Sequence, residues 1–310
     1  MKFVCVSLDF ELRWGMRHLL KDDFSNYKDE LDGTRDAVKA LLDYFESKEI
    51  QSTWATVGAL ALNNWEEFFS IMTISELNKR SGFDATPNEF LTKNEKYYFA
   101  SDLVSKIKKY SYTELASQTF THIFNCESQI SKEIFIDDGH LVSKTFKEKL
   151  NHEPTSIVFP RNQENYLNYL PNIGINYYRA VEKGDSPYAN TISGNNLINK
   201  SRRYISSFIP FLHHSTSFDT NYTRASMFLR LDIPDFAWRL HLSRIKNEIT
   251  NLKDFECFHL WWHPHNLGAD TNLKLKRIDE VFEIILDHRD RGNLQIHSMD
   301  NLRKLAENRT

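Results

Sequence analysis

Four short clusters of polar residues each follow a run of strand-forming residues, and each holds groups capable of acid–base or metal chemistry. The first is Ser7-Leu8-Asp9-Phe10-Glu11. Asp9 and Glu11 stand two residues apart, so an extended chain points both carboxylates to the same side. Two carboxylates at a strand end can divide labour, one taking a metal and the other acting as base. The bland alternative is a surface turn with two solvated acids. The second cluster is Ser117-Gln118-Thr119-Phe120-Thr121-His122, with Asn125 behind it. His122 is a candidate ligand, although a lone histidine is more often structural. The third is Phe159-Pro160-Arg161-Asn162-Gln163, where the proline fixes the local backbone. Arg161 can pair with a catalytic carboxylate and hold its orientation and charge, or it can form an ordinary surface salt bridge. The fourth is His259-Leu260-Trp261-Trp262-His263-Pro264-His265-Asn266. Strand alternation sets His259, Trp261 and His263 on one side and Leu260 and Trp262 on the other. His263 falls at the strand end, where an imidazole can serve as general acid near neutral pH. The alternative is that His259, His263 and His265 bind a metal themselves, although one strand rarely wraps a metal without a distant fourth ligand.

Such clusters matter only if the fold brings them together, and the flanking pattern says how. Residues 3–8 are a short apolar run that delivers Asp9, as a buried strand does. Residues 34–48 carry Val38, Leu41, Leu42 and Phe45 at helical spacing, with Thr34 at the N-cap position. Residues 50–57 are again strand formers, stopped by Gly58. Strand, helix, strand predicts a parallel sheet. Further helices are expected over 65–80, 101–110, 137–150, 236–250, 273–290 and 299–307, and strands over 114–118, 156–159, 175–181, 257–262 and 294–297. Residues 81–98 read as an excursion, and 184–235 as a loop-rich stretch with strands that the pattern does not locate. The expectation is one α/β domain over 1–310, a distorted (β/α) barrel with insertions near 63–112 and 184–235. In parallel α/β folds ligands bind beyond the C-terminal strand ends, where all four clusters fall.

Composition narrows the function classes. The chain has 310 residues, 41% hydrophobic and 26% charged, as in a soluble globular protein. Lys and Arg (39) nearly balance Asp and Glu (42), for a net charge of -3, and no basic tract offers a nucleic-acid footprint. No apolar stretch approaches the ~20 residues of a membrane span, and the N-terminal run is too short for a signal-peptide core. Cys5, Cys126 and Cys257 are odd in number and far apart, which suggests reduced thiols in the cytoplasm. With 13 Tyr, 22 Phe and 6 Trp, most rings fill the core, while some can stack on sugar faces. Oligomeric state leaves no mark in the sequence.

The four clusters, in this order, resemble the motifs of the NodB-type polysaccharide deacetylases, carbohydrate esterase family 4. The resemblance covers most of the chain. It includes the opening acidic strand, the helix–strand unit over 40–58, Gln118–His122, Phe159-Pro160-Arg161, and the late strand ending in His263. It is similar to members found among genes for surface-polysaccharide synthesis. The resemblance implies a divalent metal, usually zinc, that polarises an amide carbonyl and activates water. It implies Asp9 as base, Glu11 and His122 as metal ligands, Arg161 as the arginine bracing the base, and His263 as general acid. Gln118 stands where the family motif begins with histidine. Three roles stay open for it: it ligates, it orients a water that ligates, or the site has lost both metal and hydrolysis. Trp14, Asn162, Trp261, His265 and Arg230 are the candidate substrate contacts, with 202–230, including His213, His214, Tyr222 and Arg224, as one pocket wall. The implied substrate is an N-acylated amino sugar, acetyl or formyl, in a glycan or a lipid- or nucleotide-linked precursor of surface polysaccharide. The competing readings are an inactive carbohydrate-binding barrel and an amidohydrolase acting on a small non-sugar amide.

Overall fold

β1 (Lys2–Phe10) is buried along nearly its whole length, which explains its unbroken apolar reading. In the computed structural model, which describes residues 1–16, 27–81, 94–191, 201, 204–209 and 212–309, this strand is the axis of the fold. β9 (Glu256–Trp262) lies parallel on one side of it. On the other side its first half pairs with β10 (Leu294–His297) and its second half with β2 (Ser52–Thr56), both parallel. The sheet continues in parallel through β3 (Thr113–Ser117), β4 (Ser156–Val158), β5 (Tyr177–Ala180) and β7 (Tyr222–Arg224). β6 (Thr216–Ser217) joins β9 antiparallel and β8 (Met227–Phe228) joins it parallel. The 10 strands among the described residues curl into a nearly closed, mixed barrel with helices around it, the (β/α) barrel that the alternation implied.

Among the described residues the helices are α1 (Lys28–Ser47), α2 (Trp65–Ile71), α3 (Ile74–Ser81), α4 (Ser101–Lys109), α5 (Lys132–Leu150), α6 (Asp235–Thr250), α7 (Thr271–Asp290) and α8 (Met299–Glu307). α1 buries Val38, Leu41, Leu42 and Phe45 in one cluster with Leu260, Trp262 and Phe282. Thr34 is no cap: α1 begins six residues earlier, and Thr34 Oγ1 donates to the Glu30 carbonyl (2.6 Å) inside it. Leu31 and Thr34 continue the buried stripe toward the N-terminus, so packing extends the helix past the polar residue. The expected helix over 65–80 splits into α2 and α3, because Thr73 caps the second through Glu76, whose Oε2 accepts from the Thr73 amide (2.7 Å). Most of the 81–98 excursion lies outside the described residues, as do parts of 184–235, whose described portion supplies β6, β7 and β8. No described helix is long and apolar enough to cross a membrane.

One close crossing fixes how α1 meets the C-terminal rim of the strands. A Cβ on Gly33 of α1 would meet the Gly268 carbonyl oxygen at 1.9 Å, and one on Gly268 would meet the Glu30 oxygen at 1.8 Å. Two glycines therefore let α1 lie against the turn that follows β9, the turn carrying His263 and His265.

Candidate active site

Asp9, near the C-terminal end of β1, is 4% exposed and is gripped by a guanidinium from across the barrel. Arg179 on β5 donates from Nη1 to Oδ1 (2.7 Å) and from Nη2 to Oδ2 (2.8 Å) of Asp9, a bidentate pair. Nη1 also reaches Ser7 Oγ (3.0 Å), Nη2 reaches Asn162 Oδ1 (3.0 Å), and the guanidinium lies 4.3 Å from the Trp261 ring centroid. Ser7 Oγ in turn meets His259 Nε2 (2.8 Å). Burial, and secondarily Arg179, hold the His259 pKa well below its usual value, so this ring is neutral. The brace on Asp9 is thus Arg179, not Arg161. β4 ends at Val158, and Arg161 sits in the following turn, 5.1 Å from the Phe124 ring centroid. A residue within β5 faces the barrel interior directly. The sequence signal for it was a lone charge among Tyr177, Tyr178 and Ala180 in an otherwise buried strand.

Glu11 emerges where β1 ends, and three side chains converge on it. His122 Nε2 is 2.9 Å from Oε2, Gln118 Nε2 donates to Oε2 (3.0 Å), and His263 Nε2 is 3.5 Å from Oε1. Gly15 makes the room: a Cβ there would fall 1.9 Å from Glu11 Oε1. Burial pushes the Glu11 carboxyl up to about 7; His263 opposes the rise and Asp9 adds to it. The turn holding His122 is pinned from α5. Asp138, fully buried, accepts from the Phe120 amide (2.5 Å) and from Thr121 Oγ1 (2.9 Å), while burial raises its pKa to about 6. Gly58 and Ala59 donate backbone bonds to Thr119 and Phe120 on the other side (2.9 and 3.0 Å). Leu12, Thr119, His122, Arg161 and Asn162 all have φ between 46° and 62°, so left-handed non-glycine residues gather at this mouth, as they do at functional sites.

These groups open into one cleft of about 1010 Å³ lined by Asp9, Glu11, His122, Arg161, Trp261 and His263, among others. Asn162, Phe228 and Trp261 are shared with a second chamber of about 680 Å³, which contains Arg230, His214, Glu182 and Asp185. The expected contacts Asn162, Trp261, His265 and Arg230 thus border the connected space, and His265 stacks on His263 at 5.0 Å. Trp14 does not. It is 1% exposed, donates Nε1 to the Tyr98 carbonyl (2.8 Å), and packs on Trp65 and Phe68. Of the residues 202–230, Tyr222 and Arg224 belong to β7, His213 meets Glu256 Oε2 (2.8 Å), and 202, 203, 210 and 211 lie outside the described residues.

Among the described residues no group of three or more His, Cys, Asp or Glu side chains is arranged to hold a metal ion. The alternative trio fails for a visible reason, since His259 is turned to Ser7 while His263 faces Glu11. Beside Glu11 and His122 the third donor is an amide: Gln118 Oε1 is buried and accepts no hydrogen bond. Carboxylate and imidazole fit a divalent ion, and the Gln118 oxygen joins them once the amide, which turns Nε2 to Glu11, rotates end for end; the set suits an oxygen-preferring ion better than zinc.

In sequence the chain matches no family profile and no curated protein. In structure it is similar to a putative polysaccharide deacetylase from Mycobacterium smegmatis, with a TM-score of 0.59, 11% identity, and 99% of this chain and 91% of that one covered. The fold is that of the polysaccharide deacetylases. A 4-alpha-glucanotransferase from Thermococcus litoralis overlays less well, with a TM-score of 0.50 and 10% identity over 97% of this chain and 40% of that one. A family 4 carbohydrate esterase from Streptomyces lividans in complex with acetate aligns over 94% of this chain and 90% of that one, with 9% identity and a TM-score of 0.44. Within the polysaccharide-deacetylase fold the acids, imidazoles and arginines described above occupy the C-terminal rim of the strands, the end where barrel chemistry is carried out.

Proposed function

We propose that the protein is a metal-dependent hydrolase that removes an N-acyl group, acetyl or formyl, from an amino sugar. The substrate belongs to a glycan or a lipid- or nucleotide-linked precursor of surface polysaccharide, and the reaction runs in the cytoplasm. The observation that carries this reading is the pairing of two differently managed carboxylates at one mouth. Asp9 is gripped at both oxygens by Arg179, and Glu11 is desolvated against His122 and His263. The free thiols of Cys5, Cys126 and Cys257 agree with a reducing compartment.

Glu11, His122 and the Gln118 amide oxygen would hold the divalent ion. When bound, such an ion polarises the acyl carbonyl and lowers the pKa of a water. Asp9, fixed in orientation by the Arg179 fork, takes the proton from the attacking water as its oxygen bonds to the acyl carbon. The C–N bond then breaks, the acyl group leaves as carboxylate, and His263 gives the departing nitrogen its proton. Trp261 and Phe228 supply aromatic walls for the sugar, and Asn162 connects the Arg179 fork to the cleft.

Acetate or formate release from N-acylated amino sugars tests this directly. Turnover should stop on chelation and return with added divalent ion, and Asp9→Asn should cost about 10²–10⁴-fold. Full turnover in chelator, or in Asp9→Asn, sinks the proposal. Gln118 favours a second reading, a carbohydrate-binding barrel without hydrolysis. Saturable sugar binding with neither metal nor product would establish it.

A further inference from the structure

The turn after β4 contains a cation that the mechanism does not use. In this barrel Arg179 does the bracing of Asp9, with both of its Nη atoms committed to that carboxylate. Among the described residues Arg161 makes no hydrogen bond and no direct ion pair; Glu127 acts on it only at longer range, and its guanidinium rests 5.1 Å from the Phe124 ring centroid. It is half-buried and lines the same cleft as Asp9, Glu11, His122 and His263. Its backbone and that of Asn162 both sit at φ 54°, a conformation costly for two successive side-chain-bearing residues unless the surroundings impose it.

Desolvation lowers the pKa of Arg161 from its ordinary value, with Glu127 opposing, yet an arginine stays cationic. Neither cleft acid is free to neutralise it. Asp9 is taken by Arg179, and Glu11 faces His122 and His263. A desolvated guanidinium that faces a ligand cleft without a direct ion pair is an anion receptor, because its planar fork matches the oxygens of a carboxylate or phosphate. The second chamber offers no such site, since Arg230 there shares its wall with Glu182 and Asp185.

We propose that Arg161 anchors an anionic substituent, a carboxylate or a phosphate, carried by the ligand that occupies the cleft. The rest of that ligand lies against Trp261 and Phe228, so the substrate is an acidic or phosphate-linked sugar and not a neutral polymer. This rests on the deacylase reading only for where the sugar lies; the anion contact requires no turnover.

The test is calorimetric titration of the full chain with inorganic phosphate, glucuronate and neutral N-acetylglucosamine, at constant chloride ionic strength. Wild type, Arg161→Gln and Arg161→Lys are compared, and thermal unfolding checks that each is folded. The expected result is phosphate or glucuronate binding that weakens at least tenfold in Arg161→Gln and partly recovers in Arg161→Lys, with the neutral sugar unaffected. Stronger phosphate binding identifies a phosphate-linked substrate, and stronger glucuronate binding a uronic-acid neighbour. Unchanged anion affinity in Arg161→Gln, no anion binding to wild type, or equal loss of the neutral sugar overturns the proposal. In turnover, a drop in kcat on neutral substrate with Arg161→Gln would also overturn it, because Arg161 would then be stabilising the reacting acyl oxygen. Hydrolysis that is indifferent to anions leaves the deacylase reading standing and removes this one. Arg161-dependent anion binding without amide hydrolysis does the reverse.

Discussion

Replacing Glu11 by glutamine removes a charge that the cleft holds against its preference for water. Burial raises the Glu11 carboxyl from an ordinary 4.5 to about 7. A raised carboxyl pKa means that the folded chain holds the proton more tightly than the unfolded chain. The stability this group contributes is therefore present at low pH and is lost as pH climbs from about 4.5 through about 7. At 1.36 kcal/mol per tenfold change in proton affinity, the difference amounts to roughly 3 kcal/mol. Glutamine keeps the shape, can still accept from Gln118, and can donate toward His122. In chelator, wild type should become less stable relative to Glu11→Gln between pH 5 and pH 8, with the gap growing by about 2.5 kcal/mol. For a chain of this size that is on the order of 5 °C in Tm. Urea or thermal unfolding at several pH values reads it. Parallel stability profiles for the two proteins would refute the reasoning, because they would mean that Glu11 titrates as if in water. Added divalent ion should then stabilise wild type at pH 8 and leave Glu11→Gln unmoved, since only the carboxylate offers the ion a charge.

Other perturbations follow from the same contacts. Arg179→Met strands a buried Asp9 and should cost about 3–5 kcal/mol in urea unfolding; a loss under 1 kcal/mol would mean that the pair is not desolvated. Gly15→Ala drives a methyl into the space of the Glu11 carboxyl, so metal affinity should fall sharply while the fold survives; unchanged affinity in metal titration would show that Glu11 is not a ligand. Asp138→Ala frees the Phe120 amide and Thr121 hydroxyl, and should cost about 2 kcal/mol together with metal binding through His122; retained affinity would separate the turn from the site. Gln118→His should shift the ion preference toward zinc, and unaltered selectivity in competition titrations would remove Gln118 from the ligand set.

The parts of this site that were legible in the sequence are those governed by local pattern. Asp9, Glu11 and His263 were readable because a buried parallel strand announces its end by the first polar residue after an apolar run. The turn carrying His122 was visible for the same reason, but not its pinning by Asp138, which comes from a helix 16 residues downstream and depends on how α5 packs. Arg179 is not legible in the sequence because its partner lies 170 positions away and only barrel curvature brings β5 opposite β1. The proline beside Arg161 made the nearer arginine the obvious brace. Trp14 failed in the opposite direction: a tryptophan after the acidic motif suits a sugar platform, yet Trp65, Phe68 and Tyr98, more than 50 residues on, close over it. The N-terminal extension of α1 past Thr34 likewise came from tertiary packing that outweighs a capping preference.

The claim everything else depends on is that Glu11 and His122 share one divalent ion beside the Arg179-braced Asp9. Anomalous scattering from crystals grown with manganese or zinc measures it directly. The expected result is a single strong peak about 2.0–2.3 Å from a Glu11 carboxylate oxygen and His122 Nε2. An empty cleft at saturating ion, or a peak on His259 or His265 instead, would contradict the account.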